Sequence, residues 1–240
     1  MQLYFIRHGQ SENNLLWHRT GSSDGRSEDP ELTGLGHQQA YALAQHLCQA
    51  SQNRVMKNHD SQNVEGFGIT HVYSSLMVRS VATGAIVARA LDVPLVAWED
   101  LHERGGIYVR DAQTDEPIGV PGKNRAYFQT HYPDFILPDY LDDAGWWDRP
   151  YEEPEQRRAR AERFLRDLLS RHGGTEDRVA VISHAGFYNE LLATLLAMPQ
   201  QDGYWFILNN TAISRIDFHP EWVDLVYMNR ADHLRPDLVT

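Results

Sequence analysis

The 240-residue chain is predicted to form an α/β fold. The expected architecture is a three-layer αβα sandwich on a mostly parallel, six-stranded sheet, with an antiparallel strand near the C-terminus. Three observations predict it. Short apolar runs alternate with segments of helical periodicity, the pattern of a parallel sheet with helices on both faces. The runs "LYFI" and "VAVIS" are apolar without alternation, as strands covered on both faces are. Only "HPE" separates the last two strand candidates, too short a link for a crossover, so that pair is antiparallel.

The strand candidates are residues 2–6, 70–73, 94–97, 179–183, 211–218 and 222–228. Between them, residues 33–49 place Ala40, Leu43, Ala44 and Leu47 on one helical face behind Thr33 as N-cap. Residues 77–91 are apolar nearly all round, which predicts a buried helix. Residues 154–171 open on Pro154 after two glutamates and close on Arg171-His172-Gly173-Gly174, good start and stop chemistry. The arginines from Arg157 to Arg166 alternate with acids and read as a solvated face. Residues 51–66 are polar and unpatterned, an insertion. Residues 104–153, with Trp146-Trp147 and weak periodicity, read as an excursion over one edge of the sheet. The whole of 1–240 is then one domain carrying these two insertions.

Composition narrows the function. With 22 basic and 33 acidic side chains the formal net charge is −11, which argues against non-specific binding to nucleic acid or an anionic membrane. Cys48 is the only cysteine, so no intrachain disulfide forms; its helical surroundings predict a small buried hydrophobe. The apolar start is too short for a secretory signal and lacks a basic lead. The longest apolar stretch, "LLATLLAM", falls far below the ~20 residues that span a bilayer. A cytoplasmic protein is expected.

The chemistry gathers at strand ends. Ligands of open parallel sheets bind beyond the carboxyl ends of the strands. His8 follows the first strand and His184 follows "VAVIS", each before a turn into a helix whose N-terminus attracts anions. Arg7 adds a guanidinium fork suited to phosphate oxygens. Arg79 lies near a helix start, where the dipole disfavours a cation, so it needs an anion beside it, either a carboxylate or a ligand. Taken singly, each histidine is as readily a structural residue, Arg79 a surface ion pair, and Asn14 part of a helix start. Their coincidence at one sheet edge predicts a phosphate site. The twelve histidines show no HExxH and no metal-ligand spacing, and Arg7 beside His8 opposes a dication, so neither a metal nor any other cofactor is expected.

At these residues the chain resembles the histidine phosphatase superfamily, the phosphoglycerate mutase-like enzymes. "FIRHGQSENN" is similar to the family signature, "LTGLGHQQAYALAQHL" to its Leu-Thr-x-x-Gly-x-x-Gln-Ala helix, and "VYSSLMVRSVAT" to its Ser-Ser-x-x-x-Arg segment. "LHERGG", "VISHAGF" and "NNTAISRIDF" resemble later blocks, in the family's order from residue 2 to about 218. The resemblance implies the family's phosphoglycerate mutase-like fold and a phosphohistidine formed on His8. It implies that Arg7, Arg79 and His184 bind the phosphoryl oxygens, with Asn14 as a neutral donor. Gly9 is expected to permit a tight turn or a close approach of the backbone to phosphate. Glu103 matches the position of the leaving-group acid; its alternative is a salt bridge with Arg104.

Two departures bear on the reaction. Ala185 stands where the family usually has glycine, a change that keeps the backbone N–H. After Glu103 the chain reads Arg104-Gly105-Gly106 where the glycolytic mutases continue His-Tyr-Gly, which leans towards a phosphatase acting on a small-molecule phosphate ester. A phosphoglycerate mutase-type phosphotransferase is the alternative within the enzymes, and a non-catalytic phosphate- or phosphopeptide-binding module the alternative outside them. The rest of the substrate is expected to meet residues 18–31 and 104–153, where Arg19, Arg26, Arg110, Lys123 and Arg125 could hold a second anionic group. Trp146 and Trp147 either wall the pocket or pack beneath it. A homodimer is the association the family suggests.

Overall fold

The first apolar run forms β1 (Gln2–Arg7), and its alternate side chains feed two cores: Leu3 and Phe5 on one face, Tyr4 and Ile6 on the other, all without solvent exposure. The computed structural model of the chain describes residues 1–49, 60–199 and 203–240. After β1 come α1 (Glu12–Thr20), α2 (Gly34–Leu47), β2 (His71–Ser74), α3 (Val78–Leu91) and β3 (Leu95–Ala97). The excursion holds a two-stranded ribbon, β4 (Tyr108–Arg110) with β5 (Pro117–Gly119), then α4 (Arg125–His131) and β6 (Phe135–Ile136). The chain continues through α5 (Pro154–His172), β7 (Arg178–Ser183), α6 (Ala185–Leu195), β8 (Ile213–Phe218) and β9 (Val223–Arg230).

The sheet runs β6-β3-β2-β7-β1-β8-β9, seven strands where six were expected. The extra strand, β6, is two residues long and pairs with β3, so no period could reveal it. Through β6 the excursion does reach one edge of the sheet. Four neighbouring pairs are parallel, while β8 lies antiparallel to both β1 and β9. Helices α2 and α3 cover one face; Leu43, Leu47, Val81 and Val87 pack there with Ile6 and Ile182. Helices α5 and α6 cover the other, where Phe164, Leu168, Phe187 and Leu191 meet Phe5 and Val181. The result is the expected three-layer sandwich.

Local chemistry sets the helix ends. Thr33 accepts the Gly36 N–H as N-cap of α2, and Pro154 occupies the first turn of α5. Two expectations fail at helix surfaces. Cys48 is exposed, because α2 ends at Leu47 and the cysteine falls on the cap, with its thiol 3.1 Å from the Ala90 carbonyl. Arg160 is buried, not solvated: its guanidinium grips Glu152 at 2.6 and 2.8 Å and donates to the Asp100 and His102 carbonyls. Trp146 and Trp147 are buried core residues beneath the excursion, with Trp147 seated where a Cβ on Gly106 would be. Residues 51–59 of the polar insertion lie outside the described residues. Its end is anchored, with Asn63 buried and donating to the Tyr4 hydroxyl at 2.8 Å. No helix among the described residues is long and apolar enough to cross a membrane.

Candidate active site

The register of β1 on β7 assembles the site. Ile6 pairs with Ile182 and Arg7 with Ser183, so His8 and His184 emerge side by side beyond the carboxyl ends of two parallel strands. Their ring centroids are 5.0 Å apart and both side chains are buried. The His8 N–H continues the ladder to the Ser183 carbonyl at 3.0 Å, and Asn210 Nδ2 holds the His8 carbonyl at 2.9 Å.

The tautomer of His8 follows from its partners. Nδ1 lies 2.6 Å from the Gly9 carbonyl, which can only accept, so Nδ1 carries the proton and Nε2 the lone pair. Arg79 Nε donates to that lone pair at 3.3 Å. Burial, reinforced by the charges of Arg79 and Arg7, drives the His8 pKa well below that of a free histidine. The imidazole is therefore neutral, with its Nε2 lone pair available.

His184 is equally neutral: burial, Arg79 and His8 push its pKa well down. Ser75 Oγ lies 2.8 Å from its Nε2 and Ser80 Oγ 3.4 Å, both from the "YSSLMVRS" segment. With Ser75 donating to Nε2, the ring proton sits on Nδ1, which is buried with no partner among the described residues. Arg7 is in the same condition. Its Nη1 donates to the Leu208 carbonyl at 2.7 Å while its buried Nε is unpartnered, and burial brings its pKa down to about 10 against the pull of Glu103. Buried donors are almost always satisfied. Arg7 Nε and His184 Nδ1 thus keep hydrogen-bonding capacity that the fold itself does not use.

Arg79 is buried at the start of α3, and its counter-ion in the fold is Asp29, which sequence reasoning missed. Asp29 Oδ1 accepts the Val78 N–H at 3.1 Å and lies 3.5 Å from Arg79 Nη1. It caps in trans a helix whose own N-cap, Met77, has no side-chain acceptor. Burial raises the Asp29 pKa to about 6 despite Arg79. The only hint in the sequence was an acid before proline in "SEDPELTG", a turn signal without a partner. At 3.5 Å the pair is long, and the guanidinium keeps capacity for another anion.

Glu103 bridges the site to α6. Its Oε2 accepts the Gly186 N–H at 3.2 Å in the first turn of that helix, and its Oε1 accepts the Arg104 N–H at 2.8 Å. No salt bridge joins it to the Arg104 side chain, which pairs with Glu190 at 2.8 Å. Ala185 is the first residue of α6, with His184 as N-cap. Asn14 does serve the start of α1: its Oδ1 accepts from Ser11 N and Oγ, both at 3.1 Å, and from Asn210 Nδ2 at 3.3 Å. That leaves its Nδ2 as the donor. At Gly9 a Cβ would stand 2.5 Å from the Gly36 carbonyl oxygen, so the glycine admits the backbone of α2. Its N–H goes to Thr83 Oγ1 at 3.1 Å.

Of the outlying cations, Arg110 pairs with Asp115, Arg125 donates to the Leu141 and Pro138 carbonyls, and Arg19 is exposed in the last turn of α1. Lys123 lies over the Tyr127 ring. Arg26 stacks on Tyr108 at 4.1 Å and its charge acts on Arg79.

The family model "Histidine phosphatase superfamily (branch 1)" matches residues 3–231. The chain is 27% identical over 222 residues to "Probable phosphoglycerate mutase GpmB" of Enterobacter sp. (strain 638), covering 91% of this chain and 85% of that protein. Among solved structures it superposes on a phosphoserine phosphatase mutant of Entamoeba histolytica in complex with phosphoserine. The TM-score is 0.58 and the identity 22%, over 98% of this chain and 99% of that one. The alpha-ribazole phosphatase of Shigella flexneri gives a TM-score of 0.61 at 20% identity, over 96% and 97%. At such identities the structural likeness speaks to the fold.

Proposed function

The chain belongs to the histidine phosphatase superfamily, and from that premise we propose that it is a metal-independent phosphatase that hydrolyses a small phosphate monoester through a phosphohistidine on His8. The observation that carries this reading is the His8 Nε2 lone pair, held by the Gly9 carbonyl and flanked by the unpartnered buried donors of Arg7 and His184. In the first step Nε2 attacks phosphorus and the P–O bond to the alcohol breaks; a proton passes from Glu103 or the substrate to the departing oxygen. Arg7, Arg79, His184 and Asn14 Nδ2 hold the phosphoryl oxygens while charge spreads over them. Water then attacks phosphorus, the P–N bond breaks, Glu103 takes the water's proton, and inorganic phosphate leaves. None of these roles calls on a metal.

Relatives bear both phosphatase and mutase names. The segment after Glu103 favours hydrolysis: Gly105 and Gly106 adopt positive φ and pack against Tyr151 and Trp147, a tight turn in place of the mutases' His-Tyr-Gly. The test is turnover over a panel of phosphate esters, including 3-phosphoglycerate with 2,3-bisphosphoglycerate, following both inorganic phosphate and isomerised product. Phosphate release, unchanged by chelator, is expected. Isomerisation with little phosphate released would make the protein a mutase, and activity lost to chelator but restored by a divalent ion would end the metal-independent reading. Phosphate binding without turnover of any ester would leave a binding module.

A further inference from the structure

The opposite edge of the sheet, at the amino ends of the same strands, carries a second cluster. His71 opens β2, His172 closes α5, and Asp177 immediately precedes β7; their ligand atoms all lie within 4.8 Å of one another. We propose that these three side chains form a site for one zinc-class dication, separate from the phosphate chemistry at the other edge.

The donor set fits. Two imidazoles and one carboxylate, with a position left over, suit zinc and its borderline neighbours better than calcium or magnesium, which demand oxygen. Asp177 faces one nitrogen of each ring, with Oδ2 2.8 Å from His172 Nδ1 and Oδ1 4.0 Å from His71 Nδ1. Zinc bonds of about 2.0–2.2 Å require the His71 ring to swing inward. Its side chain is 41% exposed and free to do so. Its edge-on contact with the His172 ring, centroids 4.7 Å apart, already brings the two imidazoles together, and Thr70 Oγ1, now 2.8 Å from His71 Nδ1, keeps the Arg178 N–H and carbonyl as partners when the ring turns away.

His172 is already placed. It is buried, and its Nε2 lies 3.0 Å from the Tyr73 hydroxyl. A phenol both donates and accepts. With the ring proton on Nδ1, facing Asp177, Tyr73 donates to Nε2. When Nδ1 ligates a metal, the proton moves to Nε2 and Tyr73 accepts it, with no rotation of the ring. Metal-binding histidines characteristically have such an outer partner for the second nitrogen. The nearby cation stays out of the way, since Arg178 Nη1 is committed to the Phe67 carbonyl at 2.9 Å. Closing the cluster would tie three elements from two layers together.

The experiment titrates metal-stripped, full-length protein with zinc sulfate, read by calorimetry and thermal unfolding, with cobalt(II) absorption reporting nitrogen ligation. One equivalent is expected to bind and to raise the unfolding temperature. His71→Ala and Asp177→Asn, both at partly exposed side chains outside the core, should each weaken that binding at least tenfold and abolish the thermal shift. Tyr73→Phe should weaken it roughly tenfold through the outer contact. No binding at millimolar zinc would overturn the proposal. So would equal affinity in parent and His71→Ala, because the ion would then sit elsewhere among the twelve histidines.

Discussion

Two pairs of histidines stand at opposite ends of the same parallel strands, and their neighbours set them apart. At the carboxyl ends, His8 and His184 are buried near guanidinium groups, with no carboxylate among the described residues in contact with either ring; burial and the cations hold both neutral. At the amino ends, His172 faces Asp177 and His71 lies beside it. An imidazole surrounded by cations keeps a lone pair and prefers an anion; one against a carboxylate accommodates a proton or a metal. The residue type is the same at both ends. The counter-charge decides which chemistry is available.

The largest effect that could break this contrast comes from the same substitution made at the two ends. His8→Ala should lower turnover by more than about 10⁴-fold, because the covalent route is lost with the nucleophile. His71→Ala should leave turnover within about twofold, as a partly exposed change remote from the site. The fold should survive His8→Ala. The depressed pKa of His8 means that its burial costs stability as pH falls below that of a free histidine, where the unfolded chain takes up a proton that the folded chain refuses. Removing the ring should therefore flatten stability on the acid side. Steady-state rates and thermal unfolding of both variants check this, and wild-type turnover in His8→Ala would remove it as the nucleophile.

Glu103 sharpens the contrast from the acid side, since it is the carboxylate that the carboxyl-end histidines lack in contact. Glu103→Gln keeps an acceptor for the Gly186 N–H but cannot supply or take a proton. The loss should be about 10²-fold or more for alkyl phosphates and small for nitrophenyl phosphate, whose leaving group needs no protonation. Equal losses on both substrates would reassign Glu103 to positioning α6.

What was legible in the sequence follows the same physical division. Strands buried on both faces and capped helices write their periods and caps into consecutive residues, so β1, β7, α2, α3 and α5 stand within about two residues of where the pattern put them. Arg7, His8 and His184 were visible because strand ends are marked by the abrupt stop of an apolar run, and Arg79 because it is a cation at a helix start. Partners distant in sequence were not. Asp29 reaches Arg79 across 50 residues and Asn210 reaches the His8 carbonyl across 202, and no local pattern encodes such a meeting. Arg160 was misread for a related reason: it stands four and eight residues before Phe164 and Leu168 on the buried stripe of α5, but its charge grouped it with the exposed arginines, and its partner Glu152 is not marked by any local pattern. Gly9 needed the backbone of α2 in view before its role as a packing glycine could be seen.

The smallest expected effect on turnover concerns Asp29, whose burial brings its titration towards neutral pH. Both histidines are driven well below the usual histidine range, whereas burial lifts Asp29 to about 6. Between pH 3.8 and about 6 the folded chain therefore holds a proton on Asp29 that the unfolded chain has already released. Stability falls as pH rises through that window, by about 3 kcal/mol in order of magnitude. Asp29→Asn removes the ionisation, so its stability should be flatter over the same range. It also mimics the protonated carboxyl beside Arg79. Parent and variant should then turn over alike below about pH 5 and diverge a few-fold above pH 7, where only the parent sets a full charge against the guanidinium. Taking the ratio of the two rates at each pH cancels the titration of the substrate's own phosphate, which falls near 6 as well. A ratio that steps near pH 6 assigns that limb to Asp29. A ratio constant from pH 5 to 8 would show that its charge does not reach the reacting phosphate, and would leave Asp29 as the cap of α3 alone.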